Sequence, residues 1–142
     1  DYYLKAKHFI EKEGLAEHIR ILGYREDALE ILKCMDFYIS SSLSEGLPIS
    51  ILEALASKIP TIATEITGNK DIVLNSVYGV LVEPDSPESL VNGIIKMIQL
   101  TKLEKTIIAR NASNRVKVFF SIEEMVRKTD LLYKQVLNNN IT

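Results

Sequence analysis

Two glutamates, Glu45 and Glu53, stand eight residues apart in the run Ser44-Glu45-Gly46-Leu47-Pro48-Ile49-Ser50-Ile51-Leu52-Glu53. The run has the grammar of a strand-to-helix turn. Pro48 suits the first helical position, where its missing N–H costs nothing, and Gly46 lets the backbone approach a ligand in a conformation other residues resist. A helix opening near Pro48 leaves the amides around Ile49 to Ile51 without intrahelical acceptors. With the positive end of the helix dipole, they favour an anion such as a pyrophosphate. Carboxylates beside such a turn are poor phosphate ligands but good acceptors for sugar hydroxyls. A ligand that carries a diphosphate and several hydroxyls, as a nucleotide-sugar does, matches both halves of the run.

A plainer account uses the same residues. Glu45 can be a solvated loop residue, and Glu53 an ordinary helix residue, since glutamate has high helix propensity. Against this, the helical neighbours of Glu53 are Ile49, Ser50 and Ala56, a mostly small or apolar face. A carboxylate there is expected to be half-buried and in need of partners. Helix N-termini bind phosphates in many unrelated folds, so chemistry alone leaves both accounts open.

The elements that would position this turn follow from periodicity. Short apolar runs alternate with helical spacing, the pattern of a parallel α/β sheet. Strands are expected near 18–22, 36–40, 60–64 and 79–82, with helices over 1–14 and near 26–33, 48–57 and 69–74. Beyond them the pattern is helical. Ser86 followed by Pro87 opens a helix with Leu90, Ile94, Met97 and Ile98 on one stripe. A helix near 102–115 follows, then one near 121–138 with a Ser121/Glu124 capping box. Residues 138–142 are expected to fray. Ligands of open α/β sheets bind at the carboxyl ends of the strands, and Gly23, Glu45 and the Thr64 to Gly68 loop all follow expected strands.

The chain has 142 residues, 46% of them apolar, enough for one domain with a real core. Its net charge of −2 gives no electrostatic case for nucleic acid, and Arg110, Arg115 and Lys117 read as a solvated helix face. The single Cys34 excludes an internal disulfide and reads as a buried small residue ahead of a strand. His8 and His18 lie in no ligand pattern and read as surface residues. No apolar run approaches a membrane span and no signal peptide is visible, so a cytoplasmic location is the default.

From Ile21 to Asp85 the chain resembles the carboxy-terminal, nucleotide-sugar-binding domain of retaining glycosyltransferases of family GT4, which have the two-domain GT-B fold. Leu22-Gly23 is similar to the family's "FLG" strand end, and Met35 to Ser42 to its "aD-f-v-pS" strand. Glu45 to Glu53 matches its E-x7-E signature. Ile59 to Thr64 resembles "G-PVIAT" and Tyr78 to Pro84 resembles "G-LV-P". The tail from Phe119 to Leu137 looks like the closing helix. The resemblance implies a Rossmann-like parallel sheet with flanking helices and a helical carboxy-terminal segment. It implies that Glu45 lies against the donor sugar and that Glu53 binds the ribose hydroxyls. The backbone of Gly46, Leu47, Pro48 and Ile49 would meet sugar and diphosphate, and Gly23, Tyr24 and Arg25 would hold the base. The side chain of Tyr24 reads rather as a half-exposed loop aromatic. Such enzymes generally need no catalytic metal, and no Asp-x-Asp pair occurs here, so no cofactor is expected.

Departures from the pattern bear on completeness. Ser41-Ser42 stands where Pro-Ser is usual, and Thr67-Gly68-Asn69-Lys70-Asp71 replaces a common Gly-Gly-x-x-Glu. The family's diphosphate-neutralising Arg and Lys, its Gly-x-Gly turn and its acceptor-binding amino-terminal domain have no counterpart in these residues. The expectation is therefore a donor domain over 1–142, truncated on its amino-terminal side and inactive alone. Its parent would meet the acceptor through the other domain, with peripheral membrane association. The competing expectation is a non-catalytic binding or assembly module that self-associates through an open sheet edge. A GT-B-fold sugar-nucleotide epimerase fits the E-x7-E spacing poorly.

Overall fold

The computed structural model describes residues 2–139. Three parallel strands, β1 (Tyr38–Ser40), β2 (Thr61–Thr64) and β3 (Val80–Val82), form a sheet in the order β1-β2-β3. Tyr38 is opposite Thr61 and Ile62 opposite Val80. Parallel pairing requires crossovers, and the helices α3 (Ile49–Ala56) and α4 (Thr67–Val73) supply them. Before the sheet lie α1 (Tyr2–Lys12) and α2 (Ala28–Leu32). After it come α5 (Pro87–Gln99), α6 (Lys102–Phe119) and α7 (Ile122–Asn139).

Both faces of the sheet are covered, so all four residues of the central β2 are buried. Alternation along β2 splits the core in two. Ala63 packs with Ile51 and Leu55 of α3, Ile72 and Val73 of α4, and Ala112 and Val116 of α6. Ile62 packs on the other face with Val80, Val82 and Met97 of α5. Ser113 of α6 is buried, and its Oγ donates to the Ala56 carbonyl at 3.3 Å, closing the end of α3.

Several expectations are corrected. No strand forms over 18–22, and Ile19, Ile21 and Leu22 stay exposed. A strand exists only by pairing, and among the described residues none pairs with this run. Cys34 is exposed because it sits in the turn leaving α2, where Leu32 takes the buried place. Arg115 is not part of a solvated face. Its guanidinium donates to the Ile72 and Asp71 carbonyls at 3.0 and 2.8 Å, with Tyr78, Phe119 and Phe120 against its faces, and so satisfies the end of α4. Arg110, Lys117, His8 and His18 are exposed. At Ser121 half of the capping box forms: the Glu124 amide donates to Ser121 Oγ, but the Glu124 carboxylate pairs with Arg127 instead. A complete box, Thr101 with Glu104, forms instead at the start of α6. The fray expected over 138–142 is corrected at its start, where α7 continues through Asn139, and 140–142 lie outside the described residues, as does Asp1 of the first expected helix.

Candidate functional site

The turn between β1 and α3 lies at the carboxyl edge of the sheet. Pro48 is the residue before the helix rather than its first residue, with φ −74° and ψ 97° and no side-chain cap. The Ile51 and Leu52 amides both donate to the Pro48 carbonyl, at 3.1 and 3.3 Å, so Ile51 is not free as expected. Among the described residues, the amides of Gly46, Leu47, Ile49 and Ser50 have no protein acceptor. Four unoccupied donors along a helix entry favour an anion. Gly46 has no positive φ, and a Cβ there would meet open space. The protein itself therefore does not demand glycine at this position.

A chain of hydrogen bonds fixes the turn against the next one. The Asn69 Nδ2 donates to the Thr64 carbonyl and to Thr64 Oγ1 at 2.8 and 3.1 Å. Thr64 Oγ1 donates to the Ser42 carbonyl, and Ser42 Oγ donates to Glu45 Oε1 at 2.8 Å. Gly68 lies so close that a Cβ would come within 2.5 Å of the Glu45 carbonyl oxygen and 2.6 Å of the Gly46 one. Gly68 and Asn69 thus build the contact that sets the position of Glu45. Asn69 is fully buried, and its Oδ1 has no hydrogen-bond partner.

Four of the candidate residues, Gly23, Arg25, Glu53 and Glu45, line two clefts beside the turn. The first, of about 260 Å³, is walled by Leu22, Ala28, Leu29, Leu32 and Met35, with Gly23, Arg25, Ser50 and Glu53 among its lining. Glu53 is half-buried, and among the described residues nothing pairs with its carboxylate. Gly23 has φ +67°, a conformation that lets the chain turn sharply into this cleft. Arg25 is bound by Asp27 through two bonds of 2.7 and 2.6 Å. The hydrogen bonds to Arg25 hold the Asp27 carboxyl below its ordinary range, and those to Asp27 raise the Arg25 guanidinium. The side chain of Tyr24 is 91% exposed and does not line the cleft.

The second cleft, of about 330 Å³, is lined by Leu43, Ser44, Glu45, Glu65, Ile66, Thr67 and Lys70. Glu45 is half-buried, and Lys70 Nζ lies 3.0 Å from Glu65 Oε1. Glu65 and Thr67 belong to the Thr64 to Gly68 loop expected at this edge, though neither was given a role, and Lys70 was not among the expected site residues. Their signal in the sequence is positional, since they follow β2 at the same edge at which Glu45 follows β1. Leu47 is exposed and Pro48 buried, with neither lining either cleft, and Ile49 is exposed at the start of α3. Among the described residues no three His, Cys, Asp or Glu side chains converge on a metal position.

An open parallel sheet with an anion-competent turn at its carboxyl edge defines a ligand-binding α/β domain. The chain belongs to the glycosyl transferases group 1 family, whose model matches residues 1–129. It is 33% identical over 126 residues to the Escherichia coli UDP-Gal:alpha-D-GlcNAc-diphosphoundecaprenol alpha-1,3-galactosyltransferase, covering 89% of this chain and 32% of that enzyme. A glycosyltransferase from Rickettsia africae superposes with a TM-score of 0.90 at 30% identity, over 97% of this chain and 37% of that one. Anabaena Alr3699/HepE in complex with UDP superposes with a TM-score of 0.85 at 25% identity, over 94% and 37%. The fold is the Rossmann-like carboxy-terminal half of the GT-B architecture. The chain spans about a third of the length of these proteins.

Proposed function

We propose that this chain is the donor-binding domain of a retaining glycosyltransferase that moves a sugar from a nucleotide-sugar to an acceptor held by an amino-terminal domain. The observation that carries the reading is the half-buried, unpartnered Glu53 carboxylate in an apolar cleft beside four acceptor-free amides. In this reading the base enters between Gly23, Arg25 and the Leu22, Leu29 and Met35 wall. The ribose hydroxyls donate to Glu53, and the diphosphate takes the amides of Gly46, Leu47, Ile49 and Ser50. The sugar then reaches the cleft lined by Glu45.

Glu45, held by Ser42, orients the sugar and stabilises the positive charge that develops as the bond to the diphosphate breaks. No side chain acts as nucleophile; the acceptor attacks from the face the diphosphate leaves. No metal or other cofactor is called for, and the 142 residues alone transfer no sugar because the acceptor site is elsewhere. The names of the relatives support a uridine nucleotide as first donor and a lipid-linked or surface glycan as product. Among the described residues no helix is long and apolar enough to cross a membrane. The reading places the enzyme in the cytoplasm, peripheral to the membrane that carries its acceptor.

Calorimetry with UDP, GDP and ADP tests this. Binding of one of them, weakened by Glu53→Ala, supports the reading; no binding of any by the full polypeptide that carries this chain refutes it. The alternative, a non-catalytic assembly module, rests on the outer edge of β1, which no described strand covers. That edge is three residues long, too short to offer more than a few bonds. Concentration-independent sedimentation of the chain would exclude it.

A further inference from the structure

The cleft that contains Glu45 is lined by two carboxylates, Glu45 and Glu65, and one ammonium, Lys70. The ammonium is already spoken for, since Lys70 Nζ sits 3.0 Å from Glu65 Oε1. Glu45 is engaged differently, by a neutral donor, Ser42 Oγ at 2.8 Å. Among the described residues no other charged group lines the cleft, so its described lining has a formal charge of −1 with no unpaired cation. Lys70 keeps two further N–H donors once Glu65 has taken one, and Glu45 and Glu65 keep free lone pairs. Such a surface is well furnished for hydroxyls and hostile to an anion.

On the reading of the cleft as the sugar subsite, on which this inference rests, we propose that the Glu65–Lys70 pair determines specificity by sign of charge. Glu65 occupies the one cation that could neutralise a sugar carboxylate, so a neutral hexose is accepted and a hexuronate is rejected. Neither residue takes part in bond breaking. Both side chains are about half exposed, so the pair can be altered without opening the core. The rejection is electrostatic and of surface strength. A unit charge about 4 Å from another in water feels roughly 1 kcal/mol, which is about fivefold, and partial exclusion of water around a bound sugar raises it to about tenfold.

The test is the affinity of UDP, UDP-glucose and UDP-glucuronate, measured by competition on the full polypeptide that carries this chain. Wild type, Glu65→Gln and Glu65→Gln/Lys70→Met are compared. Wild type is expected to bind UDP-glucose about tenfold more tightly than UDP-glucuronate. Glu65→Gln frees Lys70 and should erase or invert that ratio without changing UDP affinity. Removing Lys70 as well should return the preference for the neutral sugar. If wild type binds both donors alike, or Glu65→Gln leaves the ratio unchanged while UDP still binds, the charge-selection inference is overturned and the donor-domain reading stands. If UDP, GDP and ADP all fail to bind wild type, the donor-domain reading falls and this inference with it.

Discussion

The two clefts beside the α3 turn are built on opposite principles. The cleft at Glu53 is apolar, with one carboxylate left without a partner and one arginine tied up by Asp27. The cleft at Glu45 is polar, and each of its charged groups is held by a neighbour, Glu45 by Ser42 and Lys70 by Glu65. A lone carboxylate in an apolar wall is incomplete until a ligand supplies donors, so it suits affinity. A carboxylate already oriented by a serine, on a turn locked by Thr64, Gly68 and Asn69, suits a task that demands position. Under the proposed function, the difference suits binding on one side of the turn and turnover on the other.

The largest expected effect comes from Glu45. In the full polypeptide, Glu45→Ala should lower kcat by on the order of 10²-fold or more while leaving nucleoside diphosphate affinity intact, because the group acts where charge changes most during reaction. Steady-state kinetics with a parallel UDP titration measures both. Glu53→Ala should do the reverse. Losing charge-assisted hydrogen bonds made equally to substrate and product costs about 1.5–3 kcal/mol of binding, seen as a raised KM with kcat nearly unchanged. Loss of affinity in the Glu45 variant with none in the Glu53 variant would reverse the assignment of the two clefts.

Gly68→Ala probes the lock between them. The new methyl would meet the Glu45 and Gly46 carbonyl oxygens at 2.5 and 2.6 Å, and these are backbone atoms that cannot swing aside. Overpacking of this kind costs about 1–3 kcal/mol of stability. The displaced turn should lower kcat through Glu45 more than it lowers UDP affinity through Glu53. Thermal unfolding gives the first quantity, and kinetics on the folded fraction the second. A variant with unaltered stability and kcat would show that the turn is not held from α4.

These comparisons also mark how far the sequence could be read. Strands at 36–40, 60–64 and 79–82 and the helices after them were legible because apolar alternation and cap residues are local signals, and the central strand is buried on both faces. The run 18–22 has the same local signal and no strand, because strand formation depends on a partner that spacing does not display. Cys34 and Arg115 were misread for the same reason: only the packed structure shows that Leu32 fills the buried place and that the α4 carbonyls need a donor. For the candidate site, a strand end and a helix start place Glu45 and Glu53 near one turn. That they face two different clefts depends on which neighbours fold against each side. The Asn69, Thr64 and Ser42 relay joins residues 27 positions apart, and no short-range spacing announces it.

The smallest expected effect lies at the rim of the apolar cleft. Among the described residues Arg25 is the only cation lining it, and Asp27 occupies it through two hydrogen bonds. Those bonds depress the Asp27 carboxyl below its ordinary value of 3.8. A carboxyl depressed in the folded chain adds stability that is fully present above the unfolded value and is lost as pH falls through the folded one. From pH 7 to 5 the pair therefore stays intact, and any change in UDP affinity over that range comes from other groups. Asp27→Asn removes the partner at every pH and leaves the Arg25 charge unneutralised at the rim, where it attracts an anionic ligand through solvent. Both side chains are about half exposed, so solvent screens the gain. UDP should bind a few-fold more tightly to Asp27→Asn at low salt, and the advantage should shrink at high salt as the Debye length contracts. The Glu45 cleft should not respond, so kcat stays at the wild-type value. A salt-independent gain in affinity, or a fall in kcat, would mean that Asp27 acts on the shape of the cleft rather than on its charge.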